Sequence, residues 1–405
     1  MNNSAPSRVV SYTEASRIVR EHSDQLGSPH PVQSVGLLDS LGRVLAGEVL
    51  ADRDQPPFPR STRDGFACRA ADLMGSLPLE VVGSIRAGDA QTLEITAGKA
   101  VEIMTGAPVP SGADCVVMVE HVQHDGNTLR LSPGRSIASG DNIVPRGAEA
   151  RAGDTILPRG TRMSPAQIAA AAACGMGRLS VFARPRVAIV ATGDELVEVN
   201  QQPREHEIRN SNSYSLAAQV IAAGAEPVRL PIAHDERTHL EAIIRTAIEN
   251  DLLLLSGGVS MGKYDLVEEV LLSLGAEFFF TGAMIQPGKP IVFGRLGRVY
   301  FFGLPGNPVS TMVTFSLFVE PLLGALGGDA HRGPRFAQAR LASEVRVKTG
   351  LTRFLPASLV ELTVRPVTWQ GSGDLASTSR ANCFLVVPAD KPVLAAGETV
   401  EILLA

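Results

Sequence analysis

The sequence predicts a multidomain chain that mixes α/β and all-β parts. Three observations predict it. Strand and helix patterns alternate from 184 to about 326. Short alternating segments rich in Val, Ile and Thr fill 75–141. Short strands with Gly and Pro turns return over 328–405. A chain of 405 residues is also long enough for several units at ~150 residues each.

The N-terminal stretch reads as helical. Ser11 and Glu14 fit a capping box, and Ile18 and Val19 begin an apolar face. A proline-dense linker, Asp52 to Pro59, then changes the texture. The β segments that follow are punctuated by Gly83, Gly88, Gly98, Gly112 and Asp125-Gly126, which marks a small β domain. Ser164-Pro165 reads as an N-cap with proline at the first helical position, and Gly175 closes that helix. Residues 142–183 are expected to pack back on 1–50. The expected units are thus a discontinuous helical domain (1–50 and 142–183), a small β domain (51–141), an α/β domain (184–327) and a C-terminal β domain (328–405).

Within the α/β part, Val187–Ala191, Pro227–Ile232, Leu252–Leu255 and Tyr300–Leu304 read as strands. Tyr214–Ala223 and Glu236–Glu249 read as helices, and another starts at Pro308. This alternation implies a largely parallel, layered sheet. The C-terminal part reads as a small barrel or sandwich.

Composition excludes several classes. Lys+Arg is 37 and Asp+Glu 42, a net charge of −5, without the footprint of a nucleic-acid binder. Bound anions must be held by local cations or helix ends. Only five of the basic residues are Lys. Four cysteines without CxxC spacing make neither a zinc site nor a disulfide scaffold. The opening residues lack an apolar signal core, and no run of ~18 apolar residues is expected to span a membrane. The expected compartment is the cytoplasm.

Three loops share one design. They are Ala191-Thr192-Gly193-Asp194-Glu195-Leu196, Ser256-Gly257-Gly258-Val259-Ser260-Met261-Gly262 and Gly303-Leu304-Pro305-Gly306-Asn307-Pro308-Val309-Ser310. Each leaves the C-terminal end of an apolar strand, where ligands bind in open α/β sheets. Glycines let backbone N–H groups approach an anion, and a following helix adds partial positive charge. Glu195, Asp235 and Asp265 follow these strand or loop ends, where carboxylates commonly hold a hard cation beside phosphates. Lys289 lies in a rigid Pro-Gly turn, but the P-loop pattern fails: the spacing is one residue too long and Pro290 replaces Ser/Thr. His121 and His124 read as strand residues on opposite faces, not a metal pair. Arg353 and the glycine-flanked Ser372 suit a small oxyanion.

These residues together resemble the molybdopterin molybdenumtransferase family, which includes the E domain of gephyrin. The matching stretches are Asp64–Ala67, Ile103–Glu120, Ala191–Leu196, Ser256–Gly262, Pro287–Pro290, Gly303–Ser310 and Ala381–Pro388. They run in the family's order across nearly the whole chain.

The resemblance implies a central three-layer α/β domain like the molybdopterin-binding fold, and a C-terminal β-barrel. It implies transfer of molybdenum from molybdate into adenylylated molybdopterin, with release of AMP and a need for Mg2+. A non-catalytic, gephyrin-like scaffold is the alternative. The resemblance places Glu195, Asp235 and Asp265 at the magnesium and the adenylyl phosphates. It places Lys289, Arg353 and Ser372 at molybdate. Gly193, Asp194, Gly257, Gly258, Ser260, Gly262, Pro305, Gly306, Asn307 and Ser310 would line the substrate site. Asp64 and Thr105 would reach in from the second subunit of a homodimer. A molybdopterin adenylyltransferase and acceptor molybdoenzymes are the implied protein partners, with no role for nucleic acid or membrane. Gln286, Lys263, Arg63 and Glu149 depart from the family's pattern.

Overall fold

The strand Leu252–Ser256 is buried along its whole length, as a strand in a parallel sheet covered on both faces must be. Its side chains alternate between two cores. Leu252 and Leu254 enter one, while Leu253 and Leu255 enter the other. Each buried leucine contributes about 1.5–3 kcal/mol. A computed structural model describes residues 8–26, 31–75, 77–89, 93–258, 266–329 and 333–404.

This strand lies in a six-stranded sheet. The order is Glu226–Arg229, Arg186–Ala191, Leu252–Ser256, Val299–Leu304, Val292–Leu296, Glu277–Phe280. The first four are mutually parallel, and the last two pair antiparallel. Helices Tyr12–Asp24 and Asn212–Ala222, with the helical run from Pro308 to Leu326, cover one face. Helices Arg237–Ala247 and Leu266–Ser273 cover the other. The result is a layered sheet, as the alternation implies, and the three-layer α/β domain that the resemblance implies.

The chain passes from Arg186–Ala191 to one neighbouring strand and then returns to the other side. That reversal makes a crevice at the carboxyl ends of Arg186–Ala191 and Leu252–Ser256. The run 308–326 is long and apolar enough to cross a membrane, but it is a core helix here: 67% of it is buried inside the fold.

The C-terminal part is a closed barrel rather than a sandwich. Strands Thr352–Val360, Thr363–Pro366, Phe336–Leu341, Thr399–Leu404 and Cys383–Val387 pair in a ring, closed by the first with the last. Ile285–Gln286 of the central domain adds to its edge, with Gln286 opposite Arg353. The small β domain is a second six-stranded sheet, with Gly65–Cys68 between Cys115–Met118 and Lys99–Ile103.

Residues 1–50 divide differently from the expectation. Ser11 caps the helix Tyr12–Asp24, its hydroxyl accepting from Glu14 N at 3.1 Å. That helix buries Ala15, Ile18 and Val19 in the core of the central domain. Its apolar face is satisfied there, so it does not join the discontinuous unit. Residues 32–50 hold no α-helix, only the short 3-10 turn Leu38–Ser40. Val32–Gly36 pairs with Arg178–Phe182, and Val49–Leu50 with Thr155–Leu157. These alternating Val and Leu residues sit around the helix Pro165–Ala173 and form their own core. That helix ends as expected. Met176 N donates to Ala171 O and Gly175 N to Ala172 O, with Gly175 at φ 74, the Schellman pattern. His121 ends a short 3-10 helix instead of lying in a strand. His124 packs edge-on against Phe66 at 5.0 Å.

Candidate active site

The crevice opens as a cleft of about 320 Å³. Its floor is the pair of loops leaving the two central strands. Gly257 sits at φ +92, and a Cβ there would lie 2.5 Å from Thr192 O. Gly258 sits at φ +61, with its Cβ position 2.6 Å from Thr192 Oγ1. Only glycine lets these two loops touch. Thr192 N donates to Ser256 O at 3.0 Å, and Gly257 N to Leu304 O at 3.3 Å, which ties the three loops into one edge.

A residue outside the sequence expectation locks this edge. Asn212, at the start of its helix, donates through Nδ2 to Ser256 Oγ at 2.9 Å and to Gly306 O at 2.8 Å. Thr192, only 3% exposed, has an Oγ1 with no partner among the described residues, as has Asn212 Oδ1. Buried polar atoms left unpaired at a cleft floor mark a place for a ligand or ordered water. The run Asn210-Ser211-Asn212-Ser213, four capping residues in succession, is the signal that would have found Asn212.

The acids stand at the mouth. Glu195 lines the cleft, and its carboxylate folds over Gly193, 2.3 Å from where a Cβ would be. It has no ion-pair or hydrogen-bond partner for that carboxylate among the described residues. Asp194 accepts from Asp235 N and approaches His234 Nδ1, each at 3.2 Å. His234 in turn stacks on His239 at 5.4 Å. Asp235 is thus one hydrogen bond from the first loop but outside the cleft lining. Asp265, Ser260, Gly262 and Lys263 fall outside the described residues.

The third loop caps the helix Pro308–Thr314. Pro305 O accepts from Thr311 Oγ1 at 2.6 Å, and Asn307 O accepts from Thr311 N at 3.0 Å. Asn307 is the N-cap without a side-chain cap bond, so its amide remains available at the cleft. Ser310 is buried, and its carbonyl accepts from Thr314 Oγ1.

The barrel reaches this helix. Ser372 O accepts from Val309 N at 3.0 Å. Asp374 takes Gln370 N and Ser377 N, and these bonds hold its carboxyl below the usual range, the Ser377 bonds most. The stapled turn presents Gly373 and Leu375 to the cleft. Lys289 follows Gly288, whose Cβ position lies 2.5 Å from Thr314 Cγ2. Arg353 pairs with Gln286 and donates to Lys348 O at 2.9 Å through Nη2. The turns carrying Lys289 and Ser372 therefore meet the same helix, the first at its last residue Thr314 and the second at its start, with Arg353 on the adjoining barrel edge. Among the described residues no hydrogen bond joins these three side chains.

Asp64 and Thr105 come together elsewhere. Thr105 donates to Asp64 Oδ1 through its backbone N at 2.7 Å and Oγ1 at 2.8 Å. These two bonds, the backbone one foremost, hold the Asp64 carboxyl below the usual range. Neither residue lines the cleft of its own chain. Arg63 belongs to the same turn, its N accepted by Ser61 Oγ. Glu149 pairs with Arg60 at 2.5 Å.

Comparison with known proteins gives this cleft its context. Three family models match in order: the MoeA N-terminal region (domain I and II) over 10–175, a probable molybdopterin binding domain over 188–325, and the MoeA C-terminal region (domain IV) over 338–405. The molybdopterin molybdenumtransferase of Bacillus subtilis is 35% identical over 91% of this chain and 89% of its own. That of Haemophilus influenzae is 32% identical over 94% and 95%. The crystal structure of a molybdopterin biosynthesis moeA protein from Pyrococcus horikoshii OT3 superposes with a TM-score of 0.81. It is 29% identical and covers 98% of this chain and all of its own. This chain belongs to the molybdopterin molybdenumtransferase family.

Proposed function

We propose that the protein inserts molybdenum from molybdate into adenylylated molybdopterin and releases AMP. One observation carries the reading: three glycine-bearing loops and the Glu195 carboxylate, unpartnered among the described residues, converge on one cleft at the switch point of the sheet. Backbone N–H groups there suit phosphates. Fixed dipoles are effective catalysts where charge develops, because they need no reorganisation.

The donor chemistry fits a hard divalent cation. Glu195 offers carboxylate oxygens that nothing in the described protein uses, and Asp235 is tied to the same loop through its backbone N, which donates to Asp194. Oxygen donors select Mg2+ over softer metals. Glu195 and Asp235, with Asp265 by resemblance, would hold it, and it would supply charge neutralisation at the diphosphate. Lys289, Arg353 and Ser372 would bind molybdate. A dianion beside a dithiolene needs cationic donors, and hydrogen bonds to charged groups contribute about 1.5–3 kcal/mol each.

Asp64 and Thr105 are assigned to the cleft of a second subunit, so the working unit is a homodimer. Its compartment is taken as the cytoplasm, which suits four free, buried cysteines. Incubating the purified protein with adenylylated molybdopterin, Mg2+ and molybdate tests the reading. AMP should appear only when molybdate is present. Release of AMP at the same rate without molybdate refutes it.

A further inference from the structure

Behind the cleft lies a second pocket of about 360 Å³, within the range of small-molecule sites. It is built between the helix Asn212–Ala222, the helical run from Pro308 and the barrel. Leu375 lines both this pocket and the cleft. Asn212 at the cleft and Gln219 in the pocket lie on one helix, about 10 Å apart along its axis.

The chemistry of the two spaces differs. The cleft has glycine loops and a carboxylate. Among the described residues the pocket is lined by no charged side chain, and its walls include Ala218, Met312, Leu375 and Phe384. Its polar side chains have mostly spent their donors. Ser215 Oγ donates to Asn212 O, Thr378 Oγ1 to Asp374 O and Ser379 Oγ to Ala376 O. Gln219 Nε2 donates to Met312 O at 3.2 Å, which leaves Oε1 as a fixed acceptor. That Oε1 is buried and has no partner among the described residues.

We infer that this pocket takes the pterin ring of the substrate, with Gln219 Oε1 accepting from its amino and ring N–H edge. The inference rests on the proposed function and divides the substrate between the two spaces. An acceptor-rich, uncharged pocket rejects phosphate and suits a flat, neutral ring. A pterin presents two adjacent donors, its 2-amino group and N3–H. Adenine presents one amino group flanked by acceptors that this pocket cannot answer as well. The phosphate stays at the glycine loops, one helix segment away.

The test uses the full-length protein and three probes: 6-hydroxymethylpterin by its fluorescence, and AMP and inorganic pyrophosphate by calorimetry. Ala218→Trp fills the pocket from its exposed wall, and Gln219→Met removes the acceptor at similar volume. Both should weaken hydroxymethylpterin by about 10-fold or more while pyrophosphate and AMP change by less than about 2-fold. Circular dichroism of each variant checks the fold, and two unlike variants keep the test independent of either one. Unchanged pterin affinity in both variants overturns the inference. So does loss of AMP in place of pterin, which would assign the pocket to adenine. If the wild type binds no pyrophosphate and shows no molybdate-dependent AMP release, the functional reading itself fails. If those hold and only the pterin result is negative, the pocket assignment alone fails.

Discussion

Gly257→Ala should damage catalysis far beyond its effect on folding. Two costs act at this position. A residue with a Cβ at φ +92 loses about 1–2 kcal/mol to backbone strain. The Cβ would also stand 2.5 Å from Thr192 O, a backbone atom that no rotamer change can move, and ordinary contact begins at 3.4 Å. The two loops must therefore separate by roughly 0.9 Å, and overpacking of this kind costs about 1–3 kcal/mol. Gly275→Ala provides the comparison, because Gly275 has φ +87 and open space around its Cβ position. It carries the strain without the collision. A misplacement near 1 Å at a reacting site can cost ~100-fold in rate. Gly257→Ala should thus release AMP about 100-fold more slowly than wild type at a stability where Gly275→Ala retains full rate. Paired thermal melts and AMP-release assays measure both. Equal rates for the two folded variants would show that the contact between the loops does not position the reacting groups.

Mixing an Asp64→Ala chain with a Glu195→Ala chain should restore activity that neither homodimer has, since each heterodimer rebuilds one complete site. No recovery after subunit exchange argues that Asp64 serves its own chain. Arg353→Ala should raise the half-saturating molybdate concentration by about 10- to 100-fold with pyrophosphate binding unchanged, and Arg353→Lys should recover only part, lacking the planar fork. An unchanged molybdate titration removes Arg353 from the site. His22 should make the protein less stable in mild acid. Its ring stacks on Phe279 at 3.8 Å, and burial first, then Arg295, pushes its pKa below the ordinary 6.5. The unfolded chain therefore binds more protons below about pH 6.5, and stability falls as pH drops through that value towards the lower folded pKa. His22→Phe should flatten this part of the pH–stability curve, measured by denaturant titration; an identical slope in both proteins would contradict the assignment.

The central domain was legible because its strands carry their own signature. Leu252–Leu255 can only be a strand buried on both faces, and the loops that follow inherit their place from it. The cap at Ser164 and the closing Gly175 were legible for local reasons, being set by hydrogen bonds within a few residues. The fate of residues 32–50 was not. Val32–Gly36 becomes a strand only because Arg178–Phe182, some 140 positions on, supplies its partner, and no local pattern announces that. The same holds for the helix Tyr12–Asp24, whose amphipathic face said that it packs but not on which core. At the site, glycines and acids were visible as residue types. Asn212 was not, because its importance lies in which two loops its amide joins. Asp64 and Thr105 lie 41 positions apart in the sequence, and only folding makes them a hydrogen-bonded pair.

The stoichiometry of the reaction tests the central claim most directly. The purified protein is given a limiting amount of adenylylated molybdopterin with excess Mg2+ and molybdate. AMP is then counted by chromatography, and the metal bound to the isolated pterin by elemental mass spectrometry. The account predicts one molybdenum on the pterin for each AMP released, with both rising together in time. AMP released in full while the pterin stays free of molybdenum would contradict it, and would make the protein a hydrolase of the adenylyl diphosphate.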